Sequence, residues 1–229
     1  MKTYASWDMN VKSKLAPVVL GILTLSIQII LLREVLQVFL GNELTIGLSL
    51  AVWLMGTTAG SLFFPGILPS TVARHSSALW IFPVTLFSCI FIQLSPKIFQ
   101  FIPGVPLDLG SILFVLLLGI FPAAAICGFL FPYMVENIFD GRNSAIAKRI
   151  RAVYILESLG AMCAALIMNL VLFTWMSNFQ ILLISLLLFG AILSLRGNSL
   201  FPGIGLKFVL YAYLTIVIGL LLFQQPLIE

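Results

Sequence analysis

Residues Leu15 to Phe39 read LAPVVLGILTLSIQIILLREVLQVF, an apolar run with no charge before Arg33. A membrane-crossing helix needs about 20 largely apolar residues, and this run supplies them, so it decides the class of fold. Composition extends that assignment to the whole chain of 229 residues. Hydrophobic residues make up 61 % and charged residues 9 %, against roughly 45–50 % and 25 % in soluble domains. Twelve Lys+Arg, 8 Asp+Glu and one His cannot coat a globule of this size without leaving apolar patches beyond those a soluble monomer tolerates. The expectation is an all-α fold, a polytopic transmembrane bundle forming a single domain over residues 1–229.

Working outward, the apolar runs predict about seven spans: 15–39, 44–64, 77–95, 110–133, 152–173, 179–195 and 205–223. The breaks between them carry turn residues or charge, namely Gly41-Asn42-Glu43, Pro65 to Ser77, Ser95 to Leu109, Glu136 to Arg151, Ser177-Asn178 and Arg196 to Gly205. Pro83 is expected to interrupt the third span, and Pro122 and Pro132 to kink the fourth. The first span is too long for a cleaved leader and lacks a small-residue cleavage signature before Arg33-Glu34, so it reads as a retained signal anchor.

Basic residues collect on one side of these spans. With the N-terminus cytoplasmic, that side holds Lys2, Lys12, Lys14, Arg74, Arg142, Lys148, Arg149, Arg151, Arg196 and Lys207, and the other holds Lys97. This asymmetry sets the orientation; the expected location is a bacterial inner (plasma) membrane. The stretch Glu136 to Arg151 reads as a basic loop beside anionic lipid.

The same counts exclude classes of function. A net charge of +4 without a basic stripe leaves no footprint for nucleic acid. Cys89, Cys127 and Cys163 lie in apolar runs and read as packing residues, with neither a disulfide framework nor a CxxC metal site. His75 is single and cannot pair to hold a haem. Motifs for nucleotide, zinc or acyl-transfer chemistry do not occur, so no cofactor and no metal are expected.

Chemistry inside the spans is confined to a few residues. Arg33, Glu34 and Gln37 close the first span, with Glu43 just beyond it. Ionisable groups within a span are costly and are functional candidates. Arg33, however, lies about 27 Å from Leu15 at 1.5 Å per residue, near the boundary, where an arginine snorkels with Glu34 and Glu43 as screened partners. Glu157 sits about 9 Å into the fifth span, with Tyr154 and Ser158 within hydrogen-bonding reach along the helix. It reads either as a functional carboxyl or as polar glue between helices. Its depth argues against an ion pair with Arg33.

Small residues recur at four-residue spacing: Gly56 and Gly60, then Gly119, Ala123 and Cys127, then Gly160 and Ala164. Such faces let backbones approach closely and predict a compact bundle. An echo links Ala51-Val52-Trp53-Leu54 to Ala152-Val153-Tyr154-Ile155, as an inverted repeat of three plus three spans, with one span over, would produce.

Two stretches carry a family resemblance. One is Gln28 to Ser61, with Leu31-Leu32-Arg33, Gly41-Asn42-Glu43, Gly47, Trp53 and Gly56 to Gly60. The other is Gly128-Phe129-Leu130-Phe131-Pro132 followed by Tyr154 to Ala161. In order and spacing they resemble the membrane domain of spermidine synthase-like membrane proteins. The resemblance implies a helical bundle likened to half of a major-facilitator transporter, commonly fused to an aminopropyltransferase-like domain. It places Arg33, Glu43, Tyr154 and Glu157 on the family's recurrent polar positions. The glycine-rich loop and acidic residues of the synthase domain are not in this sequence, so synthase activity is not expected of it.

Two functions follow as expectations. One is a non-catalytic integral membrane subunit or anchor, packing in the bilayer with separately encoded partner subunits or with copies of itself. The alternative is a transporter or binding bundle for a small substrate, with cations among the candidates. Neither makes the chain an enzyme on its own.

Overall fold

A computed structural model describes residues 11–39, 41, 43–67, 79–100, 108–137, 146–195 and 211–219. All the regular structure among them is helical. The helices are α1 (Val11–Val38), α2 (Glu43–Ile67), α3 (Ile81–Ile98), α4 (Leu109–Gly119), α5 (Phe121–Asn137), α6 (Ile146–Ile167), the short α7 (Phe173–Trp175) and α8 (Asn178–Leu195). Residues 211–219 are helical as well. Among the described residues, five segments are long and apolar enough to cross a membrane: Leu15–Val38, Glu43–Phe63, Ile81–Ile98, Leu109–Glu136 and Ile146–Trp175. The chain is an integral membrane protein. Asn178–Ile192 is a shorter apolar helix, and of the expected seventh span only 211–219 are described.

Several boundaries differ from the sequence expectation. Pro83 falls in the first turn of α3, where no helical donor is needed, so it interrupts nothing. Pro65 likewise lies within α2. The fourth span breaks at Ile120, just ahead of Pro122, while Pro132 is carried inside α5. The basic residues Lys148, Arg149 and Arg151 are the first turns of α6 rather than loop; residues 138–145 of that stretch lie outside the described residues, as do Arg74 and His75. α6 leaves α-geometry through a π-helical turn at Met168–Leu172, where Asn169 Nδ2 donates to the Ala165 carbonyl at 2.9 Å.

Local chemistry explains the sharpest turns. Ser177 and Gln180 form a reciprocal cap on α8: Ser177 N–H donates to Gln180 Oε1 at 3.0 Å and Gln180 N–H to Ser177 Oγ at 3.3 Å. Asp108 caps α4, accepting from Ser111 N–H at 3.0 Å and Ser111 Oγ at 2.6 Å. Those two bonds, the hydroxyl's first, hold the exposed Asp108 carboxyl below the usual carboxylate range.

The core follows one stripe of α1, in which Leu20, Leu23, Ile27, Ile30 and Leu31 are fully buried. α1 packs chiefly on α6 and then on α8, and α2 packs chiefly on α5. Along α1 and the fifth span the partners run in step: Val18 meets Gly160, Ser26 Oγ donates to Met168 Sδ at 3.3 Å, and Arg33 covers Phe173. These two segments therefore run in the same direction, as a first and a fifth crossing must.

Candidate functional site

Glycine builds both principal helix pairs, and it does so twice in the same way. In the first pair, a Cβ on Gly60 would fall on the Ala125 carbonyl and one on Gly128 on the Thr57 carbonyl. In the second, a Cβ on Gly160 would fall on the Val18 carbonyl and one on Gly21 on that of Glu157. Each pair thus sets one glycine of each helix against the backbone three residues from the other glycine, and in the first pair Gly56 adds a further close approach of α2 to Phe121 and Ala124 of α5. Val18 and Gly21 correspond to Ala125 and Gly128 at one constant separation along the chain, and Glu157 and Gly160 to Thr57 and Gly60 at another. Exchanging the first and second spans with the fourth and fifth maps one crossing onto the other, the relation expected of an inverted repeat. The Trp53–Tyr154 echo sits one residue out of this register.

A cavity of about 440 Å³ lies between the two pairs, within the range of about 300–1,000 Å³ typical of ligand sites. From the α1–α6 pair, Thr24, Leu25, Gln28, Tyr154, Glu157 and Ala161 line it. From the α2–α5 pair come Trp53, Thr57, Thr58 and Ser61, with Cys127, Gly128 and Phe131. Glu157 has no hydrogen-bond or ion-pair partner among the described residues; the expected bonds from Tyr154 and Ser158 do not form. Thr57 and Ser61 hydroxyls donate back to the Leu54 and Thr58 carbonyls at 3.0 Å. Their lone pairs remain available to a guest as acceptors.

A second polar cluster sits toward the other end of α1. Glu34 is only 4 % exposed and accepts from Gln93 Nε2 of α3 at 3.1 Å and from Asn178 Nδ2 of α8 at 2.9 Å. Sequence reasoning placed Glu34 as a screened neighbour of Arg33. The structure separates them: the Arg33 guanidinium lies over the Phe173 ring, 3.8 Å from its centroid. Glu34 therefore ties three helices together, and both amides that hold it went unforeseen. One signal was present, since Glu34 continues the stripe through Leu23, Ile27 and Ile30 and so had to be buried.

The seven sequence-derived candidates therefore divide. Tyr154 and Glu157 line the cavity, joined there by Gln28. Arg33 and Glu34 lie at the second cluster. Gln37, Glu43 and Ser158 are exposed and belong to neither. The packing residues Gly56, Gly60, Gly160 and Ala164 are buried in the helix crossings. Cys89 and Cys127 are buried and Cys163 faces outward. Among the described residues, no group of three His, Cys, Asp or Glu side chains is placed to hold a metal ion.

No protein-family model matches the chain, and neither the curated proteins nor the solved structures contain a match.

Proposed function

We propose that this chain is a transporter-type membrane bundle that holds a small solute in the cavity between its two glycine-crossed helix pairs. One observation carries the reading: Glu157, whose carboxyl has no hydrogen-bond or ion-pair partner among the described residues, lines a cavity whose remaining walls come from all four helices of the repeated crossing. A site divided between two halves opens to alternate sides when those halves rock about it. The role is binding or passage of the solute rather than catalysis.

The test leaves the solute's class open. In lipid nanodiscs, the chain is screened by thermal unfolding against panels of small amines, amino acids, sugars and carboxylates. Thr58→Trp, which fills the cavity from an exposed lining position, serves as the control. A solute that raises the midpoint of the unmodified chain and not of Thr58→Trp bears the reading out. Stabilisation that is equal in both, or absent from every panel, refutes it.

A second reading, that of a non-catalytic subunit or anchor beside a partner, draws on the outward face of α2, where Leu54, Met55, Leu62 and Phe63 are each more than half exposed. A partner helix would cover that face as well as lipid does. Glu157→Gln separates the readings: loss of uptake at normal expression fits the solute site, and loss of yield or of a co-purifying partner fits the subunit. Membership of the spermidine synthase-like membrane proteins, a bacterial inner-membrane location and a cytoplasmic N-terminus complete the proposal, supported by the motifs around Arg33 and Glu157 and by the asymmetry of basic residues.

A further inference from the structure

Resting on the solute-site reading and naming its ligand, we infer that the cavity takes an organic ammonium ion bearing one positive charge, held between the Glu157 carboxylate and the rings of Trp53, Phe131 and Tyr154. Among the described residues, Glu157 is the only carboxylate in the lining, and no lysine or arginine accompanies it. A cation would give the Glu157 carboxyl a counter-charge, which neither an anion nor a sugar supplies. A bare alkali or divalent ion asks for a shell of oxygens at fixed distances, whereas half of this wall is aromatic or apolar. A polyamine would bring more positive charge than one carboxylate answers.

The rings supply what a carboxylate alone does not. The face of an indole, phenol or phenyl ring attracts an ammonium group through its quadrupole and still accepts the carbon shell around the nitrogen. Trp53 comes from α2 and Phe131 from α5, while Tyr154 and Glu157 come from α6, so the cation is gripped from both helix pairs at once. Thr57 and Ser61, whose protons are already committed to backbone carbonyls, present only lone pairs and so favour a guest that donates. The volume of about 440 Å³ leaves room for an apolar or hydroxylated body beyond the charged head.

The test uses the full chain in lipid nanodiscs, with Cys89, Cys127 and Cys163 replaced by alanine and Ser61→Cys placed in the wall. The rate at which a membrane-impermeant sulfonatoethyl thiosulfonate modifies this thiol is measured alone, with choline, with its neutral isostere 3,3-dimethylbutan-1-ol, and with sodium chloride at matched ionic strength. Saturable protection by choline is expected, with none from the isostere or from sodium. Glu157→Gln should raise the choline concentration needed by about tenfold. A thermal shift of the unsubstituted chain by choline, absent with the isostere, checks that the cysteine replacements have not altered the site. Protection by the isostere equal to that by choline, no protection by choline, or an unchanged requirement in Glu157→Gln overturns the ammonium assignment and leaves the solute cavity standing. A Ser61→Cys thiol that the reagent never reaches from water removes the cavity reading and this inference with it.

Discussion

Replacing Gly60 by alanine adds one methyl group, and the structure fixes where that group must go. Its carbon would lie on the Ala125 carbonyl oxygen, far inside the 3.0 Å that real Cβ atoms essentially never cross. The obstacle is backbone, so no side chain can swing away, and the α2 and α5 axes must part by about 1 Å or more. A gap of that size forfeits roughly a quarter to a half of each dispersion contact it opens, and overpacking of this kind costs about 1–3 kcal/mol. Because α2 and α5 form one of the two principal interfaces of the bundle, the upper part of that range is expected, about 2–3 kcal/mol. Gly47 supplies the control, since a Cβ there would meet nothing within 4 Å. Gly47→Ala should be neutral or stabilising by up to about 1 kcal/mol, through helix propensity alone. Reversible unfolding in mixed micelles, titrated by the mole fraction of denaturing detergent, reads both changes. Equal stability of Gly60→Ala and Gly47→Ala would refute the reasoning, for the two differ only in what surrounds the added methyl.

Further outcomes follow from other parts of the structure. Glu34→Leu strands the Gln93 and Asn178 amides and should cost about 1–3 kcal/mol, while Glu34→Gln, which keeps an acceptor, costs less; the same detergent titration distinguishes them. Arg33→Leu removes the contact with Phe173 and should cost about 0.5–1 kcal/mol, with Arg33→Lys falling between, by the same measurement. Asp108→Ala should speed amide hydrogen exchange in the first turn of α4. Because folding lowers the affinity of the Asp108 carboxyl for its proton, the protection it gives is complete above the ordinary carboxylate range and is lost as pH falls through its depressed value; exchange followed from neutral to acid pH should show this dependence in the native chain and not in Asp108→Ala. Gly160→Ala should match Gly60→Ala in cost, as the repeated crossing requires, and a value no larger than that for Gly47→Ala would break the equivalence.

Much of the architecture could be read from sequence because lipid imposes a simple rule. Runs such as Leu15–Leu32 must be helical where no water can satisfy the backbone, and Gly56, Gly60 and Gly160 mark close approaches because little else permits them. Helix ends were less legible. Pro83 counted as an interruption although a first-turn proline costs nothing, and Lys148 to Arg151 read as loop because charge there signals the edge of the bilayer, not the end of a helix. The cavity was half visible. Glu157 and Tyr154 stood out as polar groups in an apolar run and Trp53 as part of the internal echo, whereas Thr57 and Thr58 looked ordinary until α2 was set against α5. Glu34 shows the same gap, since its partners lie on α3 and α8 and no local pattern links them to it.

One measurement bears most directly on the central claim that a solute sits between two equivalent glycine crossings and against Glu157. A density map of the chain in lipid nanodiscs, determined with 4-iodobenzyltrimethylammonium, locates ligand and helices together through the heavy atom. The account predicts α1 seated on α6, α2 on α5, and the iodinated cation between them, its nitrogen beside the Glu157 carboxylate. An empty space at Glu157 with the ligand bound elsewhere, or α1 and α6 lying apart, would contradict it.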